Sequence, residues 1–491
     1  MATPIPANAA RLTARGAVEA TGGRLVRACN DRDCALGITS DSRAVTPGMA
    51  FVALAGDKHD GHDYVAMAID AGAAIVIVEN GRAEDVVRGA AANVIEVHDT
   101  LAAWGELARA HLRAWRKLRG DAVVLAITGS AGKTTTKELC AALLRPVNAC
   151  HATPGNLNNR VGVPAVAFAL EPRHRFAVFE VGMSLPGEIA ALARIVQPDV
   201  AVITNIGVAH AEGVGGSRSD VAREKGDLLA GLSDAAIAVV PHDDEAVASQ
   251  LARCHARRVV TFGTTEGADY RLVDRGAPDL RGANVRIARG GAVLDVRLPI
   301  VGEAAAFDLL AALAATESVT GPSDGGAIGR AIGTHLRPLP GRMQTRHVAN
   351  GMTVLDDTYN ANPTSVRAAL RTLAEVAAGR RAMLVLGEMC ELGPVAIEEH
   401  ASLGPAIAAS GARIALSCGG LAELAVAAAE RAGVFCARAT NADAAGRLAA
   451  ELANAGDVVL VKASRSVGAE RVVQALLHAG GGEITAPEDS S

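Results

Sequence analysis

Residues 122–140 read AVVLAITGSAGKTTTKELC. An apolar run, a few small residues, then Lys and three Thr suit a strand, a loop and the first turn of a helix. Small residues let the backbone N–H groups of Gly129, Ser130, Ala131 and Gly132 converge on phosphate oxygens, and a helix N-terminus adds favourable partial charge. Lys133 can reach the β- and γ-phosphates of a nucleotide. Thr134 can offer its hydroxyl to Mg2+, with Thr135 and Thr136 as second choices. The strict phosphate-loop spelling wants Gly at 127, where Ile127 stands, so the strand–loop–helix setting carries the phosphate reading. Lys137 is expected to face solvent.

Other chemistry-bearing residues follow strand-like runs. Glu180 ends the apolar stretch RFAVFEV. A carboxylate there is awkward as core; it is either a cap or surface group, or an oxygen donor to a hard cation at a sheet's functional edge. Asn205 and His210 follow VAVITNI, and by themselves read as loop residues as readily as ligands. Lys225, in SDVAREKGDLLAG, reads from the residues alone as a surface lysine on a helix. GNLNNRVG supplies Asn156, Asn158 and Asn159, amides able to donate and accept or to satisfy a turn. Tyr359, Asn360 and Asn362 follow another strand and could equally be a turn ending at Pro363. Lys462, Ser464 and Arg465 follow the strand-like VVLV.

These groups need a scaffold. The chain has 491 residues and a formal net charge of -5, with no long basic block, so charge lends no support to a nucleic-acid partner. Hydrophobic residues make up 50%, yet only 12 residues are Trp, Tyr or Phe, so cores must be built from Ala, Val, Leu and Ile. The 52 glycines suit an α/β class with many tight turns. The eight cysteines show neither a disulfide scaffold nor zinc-ribbon spacing. No signal-peptide-like run opens the chain, and no stretch approaches the roughly 20 apolar residues of a membrane span; a soluble, cytoplasmic monomer is expected. Three units are predicted. Residues 1–99 form a small α/β domain. Residues 100–338 open with an amphipathic helix capped by Thr100, on which Trp104 and Trp115 pack, and continue as a mostly parallel sheet with antiparallel strands at its end. Residues 339–491 form a second βα alternation whose tail, GGGEITAPEDSS, should fray.

The loop at 129–134 resembles that of the ATP-dependent Mur ligases, the amide-forming enzymes of peptidoglycan precursor synthesis. The stretch ITSDSRAVTPGMAFVALAGDKHDGHDYVAMAIDAGA at 38–73 is similar to the amino-terminal uridine-nucleotide domain of that family's tripeptide-accepting member. ATPGNLNNRVGVP, FEVGMSLPGEI, ITNIGVAHAEG, LDDTYNANPTS, LGEMCELG and VKASR follow in the same order. The resemblance implies a three-domain architecture, with a central ATP-binding phosphate-loop domain and a C-terminal Rossmann-like domain that closes over ATP and binds a dipeptide. It implies ATP-dependent joining of D-alanyl-D-alanine to a UDP-N-acetylmuramoyl-tripeptide. By the same resemblance Glu180 binds Mg2+, His210 a second Mg2+, and Lys225 carries an N6-carboxyl (carbamate) group that also meets the metal. Asn205 lies near the nucleotide or metal shell. Asn156, Asn158 and Asn159 border the substrate channel, and Ser42 and Arg43 are candidates for the UDP end. Arg342 reaches phosphate and Asp357 ribose. Tyr359, Asn360, Asn362, Lys462, Ser464 and Arg465 shape the nucleotide and dipeptide surface. His59, Asp60 and His62, which could suggest a metal cluster, become a structural loop.

One stretch departs from the family. Where relatives carry Gly-x-His-Asn-x-x-Asn, this chain has VGEAAAFD, with Ala304, Ala305 and Asp308 at the His and Asn positions. An ionised Asp308 could accept from an adenine amino group but could not both donate and accept as Asn does. Three other readings share parts of this pattern: a sibling ligase or folate polyglutamylating enzyme, a phosphate-loop NTPase that moves a partner, and an ATP-binding interaction protein. The DDTYNANPTS run and the first domain argue against the first. Turnover without an acceptor would mark the second, and intact Lys133, Thr134, Glu180 and His210 weigh against the third.

Overall fold

A computed structural model describes residues 3–29, 33–56, 59–83, 91–207, 211–215, 217–279, 281–336 and 339–484. The architecture is three-domain α/β, each unit built on its own sheet. The first has five strands in the order Arg24–Arg27, Asn93–Val97, Ile75–Glu79, Ala50–Val52, Ile38–Thr39, parallel except for Arg24–Arg27.

The central sheet has nine strands. Seven run parallel, in the order Tyr270–Arg275, Arg258–Gly263, Ile237–Pro241, Val200–Ile203, Val123–Thr128, Phe176–Glu180, Cys150–Ala152. Ala283–Arg289 and Ala292–Leu298 extend it antiparallel. The innermost strands are apolar on both faces because helices cover both, as parallel sheets require. One covering helix, Thr100–Leu118, buries Ala103, Trp104, Leu107, Ala108, Leu112 and Trp115 along one stripe. Both indoles find partners, Trp104 donating to the Val161 carbonyl at 3.0 Å and Trp115 to that of His174 at 3.1 Å. The cap is Asp99, which accepts from the Ala102 N–H, and not Thr100: a carboxylate also complements the helix dipole.

The third sheet has seven strands, of which Phe435–Ala439, Ala412–Cys418, Ala382–Leu386, Val458–Lys462 and Thr353–Asp357 are parallel. Gln344–Val348 and Glu483–Ile484 close its edge antiparallel. Part of the stretch expected to fray is therefore a strand, because His347 and Val348 offer it an open ladder. Residues 485–491 lie outside the described residues.

The helix Pro363–Ala377 of the third unit is held to the central unit at both ends. Asn362, its N-cap, donates to the Ser130 carbonyl at 3.4 Å, and Thr364 lies against Gly207. Near the other end Glu375 takes a two-pronged bond from Arg275, at 2.6 and 2.8 Å. A double-mutant cycle of Arg275→Ala and Glu375→Ala, read by chemical denaturation, is expected to give a coupling of about 1 kcal/mol, since the pair is partly exposed but bidentate. A coupling near zero would remove this contact as an inter-unit anchor.

Candidate functional site

Three neighbouring parallel strands end at one crevice, which is where ligands bind open α/β sheets. Val123–Thr128 feeds the loop 129–132 and the helix Lys133–Leu144, Phe176–Glu180 ends in its carboxylate, and Val200–Ile203 leads into Thr204 and Asn205. The third unit covers the crevice and leaves a cleft of about 960 Å3.

The loop is shaped by what it lacks. A Cβ on Gly129 would overlap the Thr204 hydroxyl, and one on Gly132 (φ 81°) would overlap Asp308. Ser130 is locked by two bonds with Gly207, 2.8 and 3.0 Å. Asn205 spends its amide on the loop: its Oδ1 accepts from the Ala131 N–H and its Nδ2 donates to the Ala131 carbonyl, which also accepts from Thr204 at 2.5 Å. Asn205 thus braces the loop while also lining the cleft. The result is a small-residue cradle at a helix N-terminus, which fits the phosphates of a nucleotide.

Lys133 donates to the Gly129 carbonyl at 2.7 Å, which parks its ammonium over the cradle. Burial lowers its pKa, partly offset by Glu180. Glu180 is 1% exposed. Its Oε2 accepts from Thr134 at 2.7 Å and its Oε1 from Asn158 at 2.8 Å, while its backbone N–H donates to Thr153. Burial pushes this carboxyl up, but Arg342, Lys133, Lys137 and the Thr134 hydroxyl outweigh it and hold it below the usual range. An ionised carboxylate beside a hydroxyl is the oxygen-donor chemistry that Mg2+ takes.

Two lysines lie deeper than their local sequence suggests. Lys137 does not face solvent: it is fully buried, donating to the Thr153 carbonyl at 2.6 Å and pairing with Glu138 at 2.7 Å. Lys225 is not a surface residue either. It is 1% exposed at the cleft wall, and burial, then Lys133, put its pKa well below the ordinary value. Residue-only reasoning missed both because long-range packing, not local pattern, buries them.

The three amides part company. Asn158 serves Glu180, Asn159 accepts from the N–H groups of Val161 and Gly162 in a turn, and Asn156 accepts from Thr3. From the third unit, Arg342 stacks 4.0 Å from the Tyr359 ring centroid and Arg465 lies 5.7 Å from it. Lys462 is spent on Asp357 (2.5 Å) and the Asn360 carbonyl (3.0 Å), and Ser464 ties Cys390 to Ala361, so these groups shape the wall. Met343 and Glu391, both with positive φ, also line the cleft, and nothing in the sequence pattern singled them out. Pro241, Phe262, Ile300, Val301, Ala304 and Ala305 add apolar lining to the same cleft.

Ser42 and Arg43 do not line this cleft. They sit on a turn of the first unit, where Arg43 pairs with Asp41 at 2.7 Å. His62 is structural. Its Nε2 accepts from the Glu79 N–H, so its Nδ1 carries the proton donated to Asp60 at 2.6 Å. His210 lies outside the described residues.

Family models match along most of the chain: the Mur ligase family catalytic domain at residues 36–112, the Mur ligase middle domain at 127–316, and the Mur ligase glutamate ligase domain at 341–465. The chain belongs to the Mur ligase family. ATP-dependent amide-bond formation goes with that membership. This Mur ligase is 34% identical to the UDP-N-acetylmuramoyl-tripeptide--D-alanyl-D-alanine ligase of Escherichia coli (strain K12), over 90% of the present chain and 94% of the relative. It is similar in structure to MurF from Acinetobacter baumannii, with a TM-score of 0.83, 29% identity, and 97% and 100% of the two chains covered. MurF of Thermotoga maritima in complex with ADP matches with a TM-score of 0.78 at 27% identity, covering 90% and 97%. Among the described residues of this Mur ligase no helix is long and apolar enough to cross a membrane.

Proposed function

We propose that the protein joins D-alanyl-D-alanine to UDP-N-acetylmuramoyl-tripeptide, with ATP converted to ADP and phosphate. The observation that carries the reading is the convergence of Lys133, Thr134 and Glu180 from the central unit with Arg342 and Tyr359 from the third around one cleft. Near-full-length similarity to ligases of that name supports the choice of substrates.

A carboxylate is a poor acyl donor, because its leaving group would be oxide. The tripeptide's terminal carboxylate oxygen therefore attacks the γ-phosphorus, the bond to the β-phosphate oxygen breaks, and ADP leaves. The dipeptide's neutral amine then adds to the acyl phosphate carbonyl. Collapse of the tetrahedral adduct expels phosphate, and the amine proton is lost to solvent. The protein's work is positioning and charge neutralisation. Lys133 and Arg342 face the triphosphate charge, and an arriving phosphate favours the ammonium form of Lys133. Thr134, Glu180 and a carbamylated Lys225 would hold Mg2+, which supplies further neutralisation of phosphate charge when bound. The first unit, through the turn bearing Ser42 and Arg43, would take the UDP end. Arg465 and the Tyr359–Asn362 run would face the dipeptide.

The test is phosphate release with UDP-muramoyl-tripeptide and D-Ala-D-Ala each present or withheld, followed by the mass of the product. Turnover is expected only with both, and with 18O in the tripeptide carboxylate one label should pass into the released phosphate. ATP turnover that ignores the two acceptors would exclude a ligase, and unlabelled phosphate would exclude the acyl phosphate route.

A further inference from the structure

In the third unit, the strands Ala382–Leu386 and Val458–Lys462 lie side by side and parallel. Their other neighbours, Ala412–Cys418 and Thr353–Asp357, flank the pair on opposite sides, so the strand order reverses between them. A sheet of this kind opens a crevice beyond the C-terminal ends of such a pair. The two segments that follow, 387–393 and 463–467, touch there. The Cys390 N–H donates to Ser464 Oγ at 2.8 Å, and Cys390 Sγ lies 3.2 Å from Ser466 Oγ. Cys390, Glu391, Arg465 and Ser466 line the cleft from this crevice.

Glu391 stands out by its backbone. Among the described residues four that are not glycine have positive φ. Gln197 and Ala378 end helices, where the left-handed conformation is common. Met343 is held by the Asp357 carboxylate, which accepts from its N–H at 3.1 Å. Glu391, at 64°, ends no helix, and the chain on both sides of it is pinned. Before it, Met389 is buried and its N–H donates to His400 Nε2 at 2.9 Å, while Cys390 is bonded to Ser464. After it, Leu392 is buried in the core of the unit. A glycine would take this φ without cost, whereas a residue with a Cβ is strained there. Strain of this kind collects at functional sites. The Glu391 side chain is exposed at the cleft, and its charge reaches Lys133.

An exposed anion and an exposed cation, Glu391 and Arg465, thus stand on touching segments and face the centre where an acyl phosphate would form. A dipeptide at neutral pH carries an ammonium at one end and a carboxylate at the other. We infer that Glu391 receives the amino group of the incoming D-alanyl-D-alanine and takes a proton from its nitrogen as the new bond forms, with the carboxylate end toward Arg465. The ammonium first gives one proton to water, which frees the lone pair. The nitrogen attacks the acyl phosphate carbonyl, and as the N–C bond forms a second proton passes to Glu391. Collapse breaks the C–O bond to phosphate, and the exposed carboxyl returns its proton to water. This inference rests on the reading of the protein as a D-alanyl-D-alanine ligase and adds the group that meets the amine.

The test is steady-state phosphate release by the full chain with D-Ala-D-Ala varied, for native protein, Glu391→Gln and Glu391→Gly, beside calorimetric titration of ADP and a melting curve for each. Glu391→Gln keeps the size but loses the charge and the proton acceptor. Its kcat/KM for D-Ala-D-Ala should fall about 10²-fold, while ADP binds no more than about threefold more weakly than to native protein. Glu391→Gly relieves the backbone, so its melting temperature should equal or exceed that of the native chain while its kcat/KM falls at least as far. A kcat/KM within about threefold of native in either folded variant would overturn the inference. So would a fall matched by an equal loss of ADP affinity, which would place Glu391 on the phosphate side, or a fall accompanied by a lower melting temperature in both variants, which would make it a brace. Each of these leaves the ligase reading standing. No phosphate release by the native protein with both acceptor and dipeptide present would overturn both.

Discussion

Replacing Lys133 by Ala (K133A) is expected to lower the rate of phosphate release by about 10³-fold or more at saturating substrates. Lys133 Nζ is held 2.7 Å from the Gly129 carbonyl, over a cradle of backbone N–H groups and within the field of Glu180. A triphosphate placed there meets one mobile cation from the loop itself, and charge that builds during phosphoryl transfer has nowhere else on that helix to go: Lys137, four residues on, is buried against Thr153 and Glu138. The scaffold does not depend on Lys133. The helix it begins is anchored by Leu139, Cys140, Ala141, Ala142 and Leu144 in the core, so the circular dichroism spectrum and melting curve should stay close to native. Rates within a few-fold of native in a folded K133A protein would sink the phosphate role.

Lys225→Ala should cost about 10²-fold to 10³-fold, the range seen when one charge-stabilising group is removed, and short carboxylates such as formate or acetate should restore part of the loss. An amine this buried beside Lys133 is poorly tolerated as an ammonium, yet an uncharged amine there is placed to take up CO2 and return an anion to a site crowded with cations. Intact-protein mass spectrometry under native conditions should show one added CO2 on the native chain and none on the variant. If Lys225→Ala keeps native rates, or exogenous carboxylates do nothing while the variant is folded, the carbamate reading fails and Lys225 is a packing residue.

Much of this site was legible because it is local. Loop 129–132 sits between an apolar run and three Thr, and the chemistry of Lys133 and Thr134 follows from that order alone. Glu180 stood out because a carboxylate closing an apolar strand has few structural uses. What stayed hidden is non-local. Asn205 lines the cleft, yet its amide also braces Ala131, more than 70 residues away in the chain, which no local pattern shows. Lys137 and Lys225 are ordinary helical lysines until the sheet and neighbouring helices close over them. Asn156, Asn158 and Asn159 look alike in sequence, and only the fold sends one of them to Glu180. In the fold, the parallel strands announced themselves as apolar runs. The strands Ala283–Arg289 and Glu483–Ile484 did not, being half polar or very short, and they exist because neighbouring edges were open.

The double attachment of the helix Pro363–Ala377 sets how the lobes can come apart. A beam fastened at both ends cannot pivot until one fastening slips, and these two are unequal: a long amide contact at Ser130 with Thr364 against Gly207, and a two-pronged ion pair at Arg275. The weaker one sits on the loop 129–132 itself, at the Ser130 carbonyl. If the lobes part, the contact at Ser130 is the one expected to give first, with Arg275 holding longer.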